Sequence, residues 1–203
     1  MKQIFSITAI LFFLFILPEI KAQTIESSKI TNQISLNESD IELFKKKSQE
    51  KIDEFTDYLS IIGDKQQPQA KRDLAEKEAL KLFYKGAIME TSTVKSDGTI
   101  KKKQRPMAEY LYRLKTLPYL KVEVKFFDIC YVTEFTRGED GNYYATATIF
   151  QEFTGFNGDN IAYHDITKKE ITIIINLVED DFFNEKRWKL FLGDVKATET
   201  KMK

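Results

Sequence analysis

Histidine and cysteine are nearly absent from this chain: His164 and Cys130 are the only residues of their kinds among 203. A single thiol cannot close a disulfide within the chain, and one His with one Cys falls short of the usual zinc ligand set. Cys130 lies in the apolar segment 126–131, where a thiol is expected to pack as a small hydrophobic side chain. Disulfide-stabilised folds and zinc chemistry are therefore excluded, and neither a metal site nor a cofactor is predicted.

Glycine and net charge are also low. The chain has 8 Gly, none of them spaced as in a phosphate-binding loop. Its 31 basic and 31 acidic residues balance, so the basic face typical of nucleic-acid binding is not expected. The one basic run, Lys101–Lys103 followed by Arg105, is interpreted as a solvated loop or helix entrance. Contact with an anionic lipid or polymer is the alternative.

The longest apolar stretch stands at the start of the chain. Met1-Lys2 precedes an apolar run from Ile4 to Leu17, which is shorter than the ~20 residues that a bilayer span requires. Ala22 supplies a small residue for cleavage soon after this run. The pattern is typical of a secretory signal peptide, and an uncleaved signal anchor is the alternative. We therefore expect an exported protein, periplasmic or secreted, with no stable membrane anchor after cleavage.

Three segments follow from this reading of the chain. Residues 1–22 form the predicted signal peptide. Residues 23–36, rich in Ser, Thr, Asn and Gln, form a flexible leader. The remaining residues, 37–203, are enough for a single α+β domain with its own core.

Helical spacing appears in three places. The first helix is predicted to begin at a cap provided by Asn37 or Ser39 and to end at Gly63. The second is predicted from Pro68 to about Gly86, and the third lies in the segment 106–117. The residues predicted to form their apolar faces are Ile41, Phe44, Ile52, Phe55, Leu59 and Ile62 in the first helix, Leu74, Leu80, Leu82, Phe83 and Ala87 in the second, and Met107, Leu111 and Leu114 in the third.

Strand patterns dominate the second half of the chain. Asp97-Gly98 and Asp140-Gly141 predict hairpin turns, and residues 154–160 are predicted to form a Gly/Asn loop. The predicted strands are Ile88–Val94, Leu120–Phe135, Tyr143–Phe153, Glu170–Val178 and Arg187–Lys196. Helices gathered on one side of such an antiparallel sheet make an α+β fold.

This order of elements resembles the nuclear transport factor 2-like superfamily, which includes ketosteroid isomerases and scytalone dehydratases. The resemblance covers residues 41–198 and is carried by Leu82-Phe83-Tyr84, by the segment 110–114, by the long strands 120–135 and 143–153, and by the closing segment 188–195. It implies a curved, mostly antiparallel sheet wrapped around the N-terminal helices, a cone-like half barrel with an open mouth. Because one fold hosts many functions, the resemblance does not fix the activity.

Asp128 interrupts an apolar run and continues the face of Val122, Val124 and Phe126. An inward carboxylate must be paired, protonated or functional. Isomerases of the family use an inward Asp as general base with a Tyr donor, so the resemblance implies that Asp128 could act with Tyr112 or Tyr144. A carboxylate at the mouth of the sheet, or beside an Arg, is the alternative. The predicted ligand pocket comprises Phe83, Tyr112, Phe126, Asp128 and Tyr144.

His164 is a second, weaker catalytic candidate, because imidazole titrates near neutral pH. It is expected between two strands, with Tyr163 or Asp165 as its partner. However, adjacent residues of a strand point to opposite faces, so His164 and Asp165 would share a pocket only in a loop. The segment 157–160 could suggest calcium, but it lacks the twelve-residue loop with a final Glu and is interpreted as a plain turn.

Three functions are compatible with the sequence. The first is an exported, non-catalytic cell-envelope protein that binds an apolar small molecule, or a protein partner on its sheet. The second is an enzyme of isomerase or dehydratase type that uses Asp128 in a cone-shaped pocket. The third is an interaction module whose leading helices pair with a partner or a second copy. Few histidines, no catalytic motif and 16 Phe with 9 Tyr favour the first.

Overall fold

The computed structural model describes residues 35–95, 97–180 and 185–202. The predicted signal peptide and the leader up to residue 34 lie outside the described residues. Residues from Leu36 onward form one compact unit. Asp128, Ile129 and Cys130 lie on a described strand, but their side chains are outside the described part.

Three helices form where the spacing predicts them: α1 (Glu38–Gly63), α2 (Gln69–Lys81) and α3 (Met107–Thr116). Asn37 caps α1, since its side chain accepts from the amide of Asp40 while the Asp40 carboxylate accepts from the amide of Asn37. This reciprocal pair satisfies amides that have no partner inside the helix. The predicted start and end of α1 are confirmed.

The second helix departs from its predicted limits and face. It ends at Lys81 rather than near Gly86. Leu74, predicted on its apolar face, is 58% exposed, whereas Arg72, Ala75 and Ala79 are buried. The prediction assumed that the large apolar side chains mark the buried face, but α2 packs through two small residues and one Arg.

Arg72 connects all three helices. Its Nε donates to the carbonyl of Ile62 in the last turn of α1 at 3.0 Å, and its Nη2 donates to the carbonyl of Lys115 in α3 at 2.6 Å. Carbonyls in the last turn of a helix have no partner within the helix and favour a cation. The buried guanidinium therefore fixes the ends of α1 and α3 against α2.

In the described part of the chain, seven strands make one sheet. They are β1 (Ile88–Val94), β2 (Ile100–Pro106), β3 (Lys121–Val132), β4 (Thr136–Arg137), β5 (Tyr143–Asn157), β6 (Asn160–Asp180) and β7 (Glu185–Met202).

The sheet is open, curved and mostly antiparallel. Its order is β2-β1-β7-β6-β5-β3, with β4 paired to β5; among the pairings of these strands in the described residues, the β1–β7 contact is the parallel one. The fold class predicted from the sequence, an α+β fold with a curved sheet and N-terminal helices, is confirmed. Helix α1 contacts the edge strand β3 and the inner strand β7.

Two segments expected to be irregular are strands. The basic run Lys101–Lys103 lies in the edge strand β2, paired with β1, rather than in a loop or helix entrance. The expected loop 154–160 shrinks to a two-residue turn at Gly158-Asp159, with β5 and β6 continuing on either side. Gly158 has φ of +64°, which a residue without a Cβ adopts at no steric cost.

The core lies between the helices and the inner face of the sheet. Phe55 of α1 is fully buried and meets Phe83 edge-on, with ring centroids 4.8 Å apart. Gly63 allows α1 to approach β3 closely, because a Cβ at this position would lie 2.8 Å from the carbonyl oxygen of Val122. Within the described residues, no helix combines the length and apolar character needed to cross a bilayer.

Candidate functional site

A cavity of about 330 Å³ lies between α3 and the inner face of the sheet; we call it the α3 cavity. Its apolar and aromatic walls come from Tyr110, Leu114, Leu117, Tyr119, Phe153 and Tyr163. Its polar walls come from Thr91, Ser92, Thr93, Arg105, Arg113, Gln151, Asp165, Thr167 and Lys169. The volume lies in the range of small-molecule sites.

The floor of the α3 cavity is set by the alternation of β6. Asp165, Thr167 and Lys169 are all buried and point inward, because side chains two apart on a strand share a face. His164 lies on the opposite face, where its Nε2 is 2.9 Å from Glu152 Oε1. His164 was expected between two strands, but it lies inside β6, paired with Thr154 of β5.

Asp165 is a carboxylate surrounded by hydroxyl groups. Its Oδ2 accepts from the Tyr163 hydroxyl at 2.6 Å, and its Oδ1 accepts from Thr167 at 3.4 Å. Burial raises the pKa of this carboxyl above its usual value, although the hydroxyl donors and the nearby Lys169 oppose the shift. Burial and Asp165 together also raise the pKa of Tyr163. The Asp165 carboxyl and the Tyr163 hydroxyl therefore each keep their proton to a higher pH than usual.

Lys169 is a buried amine without a direct carboxylate partner in the described part of the chain. It is 2% exposed. Its Nζ donates to the carbonyl of Glu90 at 3.2 Å and lies 3.4 Å from the sulfur of Met89. Burial lowers its pKa to about 8, against the attraction of Asp165 and Glu90. A substantial fraction of this amine is therefore neutral slightly above physiological pH.

Further polar groups of the cavity wall include Arg105, Gln151 and Tyr110. Arg105 donates from Nη1 to Thr91 at 3.0 Å, and its Nε lies 3.2 Å from Glu109 Oε1 without a well-aligned hydrogen bond. The Oε1 atom of the buried Gln151 has no hydrogen-bond partner among the described residues. Burial and Asp165 raise the pKa of the Tyr110 hydroxyl. Incomplete hydrogen bonding in a buried wall is unfavourable, and a ligand could relieve it.

An aromatic cluster closes one end of the α3 cavity. The Phe153 ring lies 5.8 Å from Tyr163 and 6.5 Å from Tyr119, centroid to centroid, both edge-on. A Cβ at Gly155 would lie 2.8 Å from the Tyr119 ring. The absence of a side chain at Gly155 thus makes room for Tyr119 against β5.

Of the five residues predicted to line a pocket, four have described side chains, and only Phe83 and Phe126 among them share a neighbour. Phe83 and Phe126 both pack against Phe55 in the core, Phe83 buried and Phe126 partly buried. Tyr112 is 58% exposed on α3. The Tyr144 hydroxyl donates to Asp140 at 2.6 Å in the β4–β5 turn. Asp128 lies on β3, and its side chain is outside the described part.

Metal ligation receives no support from the described geometry. Across residues 35–95, 97–180 and 185–202, no cluster of three or more His, Cys, Asp or Glu side chains is positioned to hold an ion. Asn157 and Asn160, considered for calcium, pair with each other across the β5–β6 turn. This segment therefore forms a hairpin, as its interpretation as a plain turn requires.

The residues that mark this site are polar side chains on the buried face of β6, where apolar side chains are usual. Asp165, Thr167 and Lys169 alternate with His164, Ile166 and Lys168, so the polar set could equally be taken for the solvated face. Only the pairing with β5 and β7, and the helix above, show which face is inward. The inward position of these residues was not predicted, because the predicted strand begins only at Glu170.

No protein-family model, curated protein or solved structure matches this chain. Its function is accordingly inferred from the geometry of the α3 cavity.

Replacing Lys169 with Met should stabilise the protein at pH 7, because the native state no longer holds a buried cation. The pKa of Lys169 is lowered to about 8 from 10.5. As pH rises between these values the folded protein has lost its proton and the unfolded chain has not, so the native chain gains stability. The advantage of Lys169→Met should therefore shrink by about 3 kcal/mol between pH 7 and 11.

Urea denaturation of both proteins across this pH range measures the effect. Lys168→Met is the matched control, since Lys168 lies next to Lys169 on the other face of β6 and its substitution removes the same charge. A stability difference for Lys169→Met that is constant with pH would contradict the assignment.

Proposed function

We propose that this protein is an exported binder of a small organic molecule, and that the ligand occupies the α3 cavity. The observation that carries the proposal is the set of buried polar groups in the cavity wall, among which the Gln151 Oε1 atom has no hydrogen-bond partner in the described part of the chain. A protein that used this space only for packing would be expected to fill it with apolar side chains, because unpaired buried polar atoms cost about 1–3 kcal/mol each.

The size and lining of the α3 cavity favour a ligand with an aromatic body. Tyr119, Phe153 and Tyr163 offer ring edges and faces, and about 330 Å³ suits a molecule of one or two rings. The sequence predicts an apolar ligand, but the wall of the cavity is partly polar. Asp165, Lys169 and Gln151 favour a ligand that also carries hydrogen-bonding groups.

An acid–base enzyme is the second candidate, favoured by the Tyr163–Asp165 pair. The 2.6 Å hydrogen bond and the raised pKa of Asp165 place a carboxyl suited to proton transfer on the cavity wall. An isomerase or dehydratase reaction would then use Asp165. The earlier candidate, Asp128, stays a prediction, because its side chain is outside the described part.

We also propose that this chain belongs to the nuclear transport factor 2-like superfamily. The order of two helices, a hairpin, a third helix and a long antiparallel meander supports this proposal, as does the open curved sheet around α1. A shared fold would still leave the ligand undetermined.

Filling the α3 cavity should weaken binding. Leu114 is buried and lines the cavity, whereas Tyr112 on the same helix is 58% exposed and does not. We expect Leu114→Trp to weaken binding of aromatic carboxylates such as 4-methylbenzoate at least about tenfold by steric exclusion. Tyr112→Trp should bind as the native protein does. Isothermal titration calorimetry measures both variants, and circular dichroism checks that they are folded. Equal binding by Leu114→Trp would place the ligand elsewhere.

The acid–base candidate is tested by Asp165→Asn, which keeps the side-chain shape and removes the ionisable group. For any carbonyl compound found to bind, exchange of its α-hydrogens for deuterium should be catalysed by the native protein and slowed at least about 100-fold in the variant, as measured by proton NMR. His164→Asn, altered on the opposite face, is the control. Unchanged exchange in Asp165→Asn would exclude the acid–base role of Asp165.

Export is tested on the product of the full-length gene in a secreting host. The expected polypeptide begins at Gln23, because signal peptidase favours a small residue such as Ala22 before the cut. Intact-mass analysis of the extracytoplasmic fraction measures this. A product that retains residues 1–22 in the membrane would instead support the signal-anchor alternative.

A further inference from the structure

We propose that Lys169 forms a reversible imine with an aldehyde ligand that carries an aromatic body and an acidic group. This inference rests on the proposed binding function and names its ligand class. It starts from the position of the Lys169 amine, which is buried on the wall of the α3 cavity and whose hydrogen-bond partners among the described residues are a backbone carbonyl and a thioether.

A lysine that serves only structure would be expected to pair with a carboxylate when buried. For Lys169, no carboxylate oxygen lies within ion-pair distance of Nζ in the described residues, although Asp165 and Glu90 exert a longer-range attraction. The amine instead donates to the Glu90 carbonyl oxygen and lies against the Met89 sulfur, which is a weak acceptor. An amine held in this way keeps its nitrogen lone pair free whenever it is deprotonated, as nucleophilic attack requires.

The position of Lys169 on β6 also fits a bound carbonyl compound. The same inward face carries Thr167 and Asp165, and Gln151 lies opposite Thr167 on β5. A hydroxyl group and an amide group therefore lie on the cavity wall beside Lys169, while the Asp165 carboxyl lies farther along the same strand. Burial favours the neutral amine further by lowering the pKa of Lys169 to about 8.

The chemistry balances without an added reagent. The neutral amine nitrogen attacks the carbonyl carbon and forms a C–N bond, while the carbonyl oxygen takes up a proton to give a carbinolamine. The C–O bond then breaks, the oxygen leaves as water with a second proton, and the nitrogen releases both of its protons. The result is an imine and one water molecule, with no change of oxidation state.

The acidic group of the ligand is inferred from the cations at the cavity wall. Arg113 lines the α3 cavity and its guanidinium makes no ion pair within the described ranges. Arg105 lies on the same wall. Arg105 is already paired with Glu109, so Arg113 is the cation of this wall to which a carboxylate on the ligand would supply an ion-pair partner. Arg binds carboxylates through parallel hydrogen bonds.

The experiment uses 4-formylbenzoate as the probe and the mature full chain as the protein. Sodium cyanoborohydride reduces an imine to a stable secondary amine, and tryptic peptide mass mapping then locates the modified residue. We expect one adduct per chain, at Lys169, formed about tenfold or more faster than at any other lysine or at the amino terminus. Benzaldehyde, which lacks the acid, should label Lys169 more slowly.

Two variants control the result. Lys169→Arg keeps a cation but has no primary amine, and it should lose the fast adduct; Lys168→Arg, on the opposite face, should keep it. If Lys169→Arg does not fold, the peptide mass map of the native protein still shows whether Lys169 is the modified residue. Adducts spread over exposed lysines, with none favoured at Lys169, would overturn the inference.

Binding of 4-methylbenzoate separates this inference from the proposed function. This analogue has the ring and the acid but no carbonyl group. If it binds in the α3 cavity while 4-formylbenzoate gives no adduct at Lys169, the binding function stands and the imine is wrong. If neither compound binds, and no adduct forms, both proposals fail.

Discussion

The register of β6 is the constraint on which the site depends. The turn at Gly158-Asp159 joins β5 directly to β6, and an irregularity between the Phe156–Ile161 and Gly155–Tyr163 pairs shifts the register by one residue before Asp165. A further shift of one residue would turn Asp165 and Lys169 outward and His164 and Lys168 inward. This irregularity, together with the turn at Gly158, thus helps determine which ionisable groups the protein buries.

Burial of Asp165 and Lys169 is unfavourable for folding unless the two charges are compensated. Neither forms a direct ion pair in the described part of the chain; their close partners are hydroxyl groups, a carbonyl and a thioether. Burial shifts both pKa values toward the neutral forms. Ionisable groups held in this way, on the wall of a cavity, are typical of functional sites rather than of stabilising networks.

The fold was largely predictable from local pattern, and the site was not. The apolar faces of α1 and α3 and the Asp-Gly hairpins follow from periodicity and turn chemistry. The strand β2 was missed because three lysines in succession look like a solvated loop, yet an edge strand tolerates them. The burial of Arg72 depends on carbonyls from two other helices, which no local pattern reveals.

The candidate site was missed for the same physical reason. A charged residue on a strand is normally exposed, so Asp165 and Lys169 alone give no sign of burial. Their inward direction depends on α3, which covers this part of the sheet and contributes Tyr110, Arg113 and Leu114 to the cavity. Because adjacent residues of a strand point to opposite faces, His164 and Asp165 were expected to be separated. In the structure Asp165 accepts from Tyr163 at the cavity, whereas His164 lies beside Glu152 on the other face.

The spacing of the two buried ionisable groups constrains the ligand further. Asp165 and Lys169 are four residues apart on one strand, which places their Cα atoms about 13 Å apart. The aromatic cluster of Tyr119, Phe153 and Tyr163 lies at the Asp165 end, whereas Met89 and Glu90 mark the Lys169 end. A ligand held by both ends must therefore be elongated, with its carbonyl group directed toward Lys169. A compact ligand would contact only one end, so the acid–base role of Asp165 and the imine at Lys169 would then belong to different ligands.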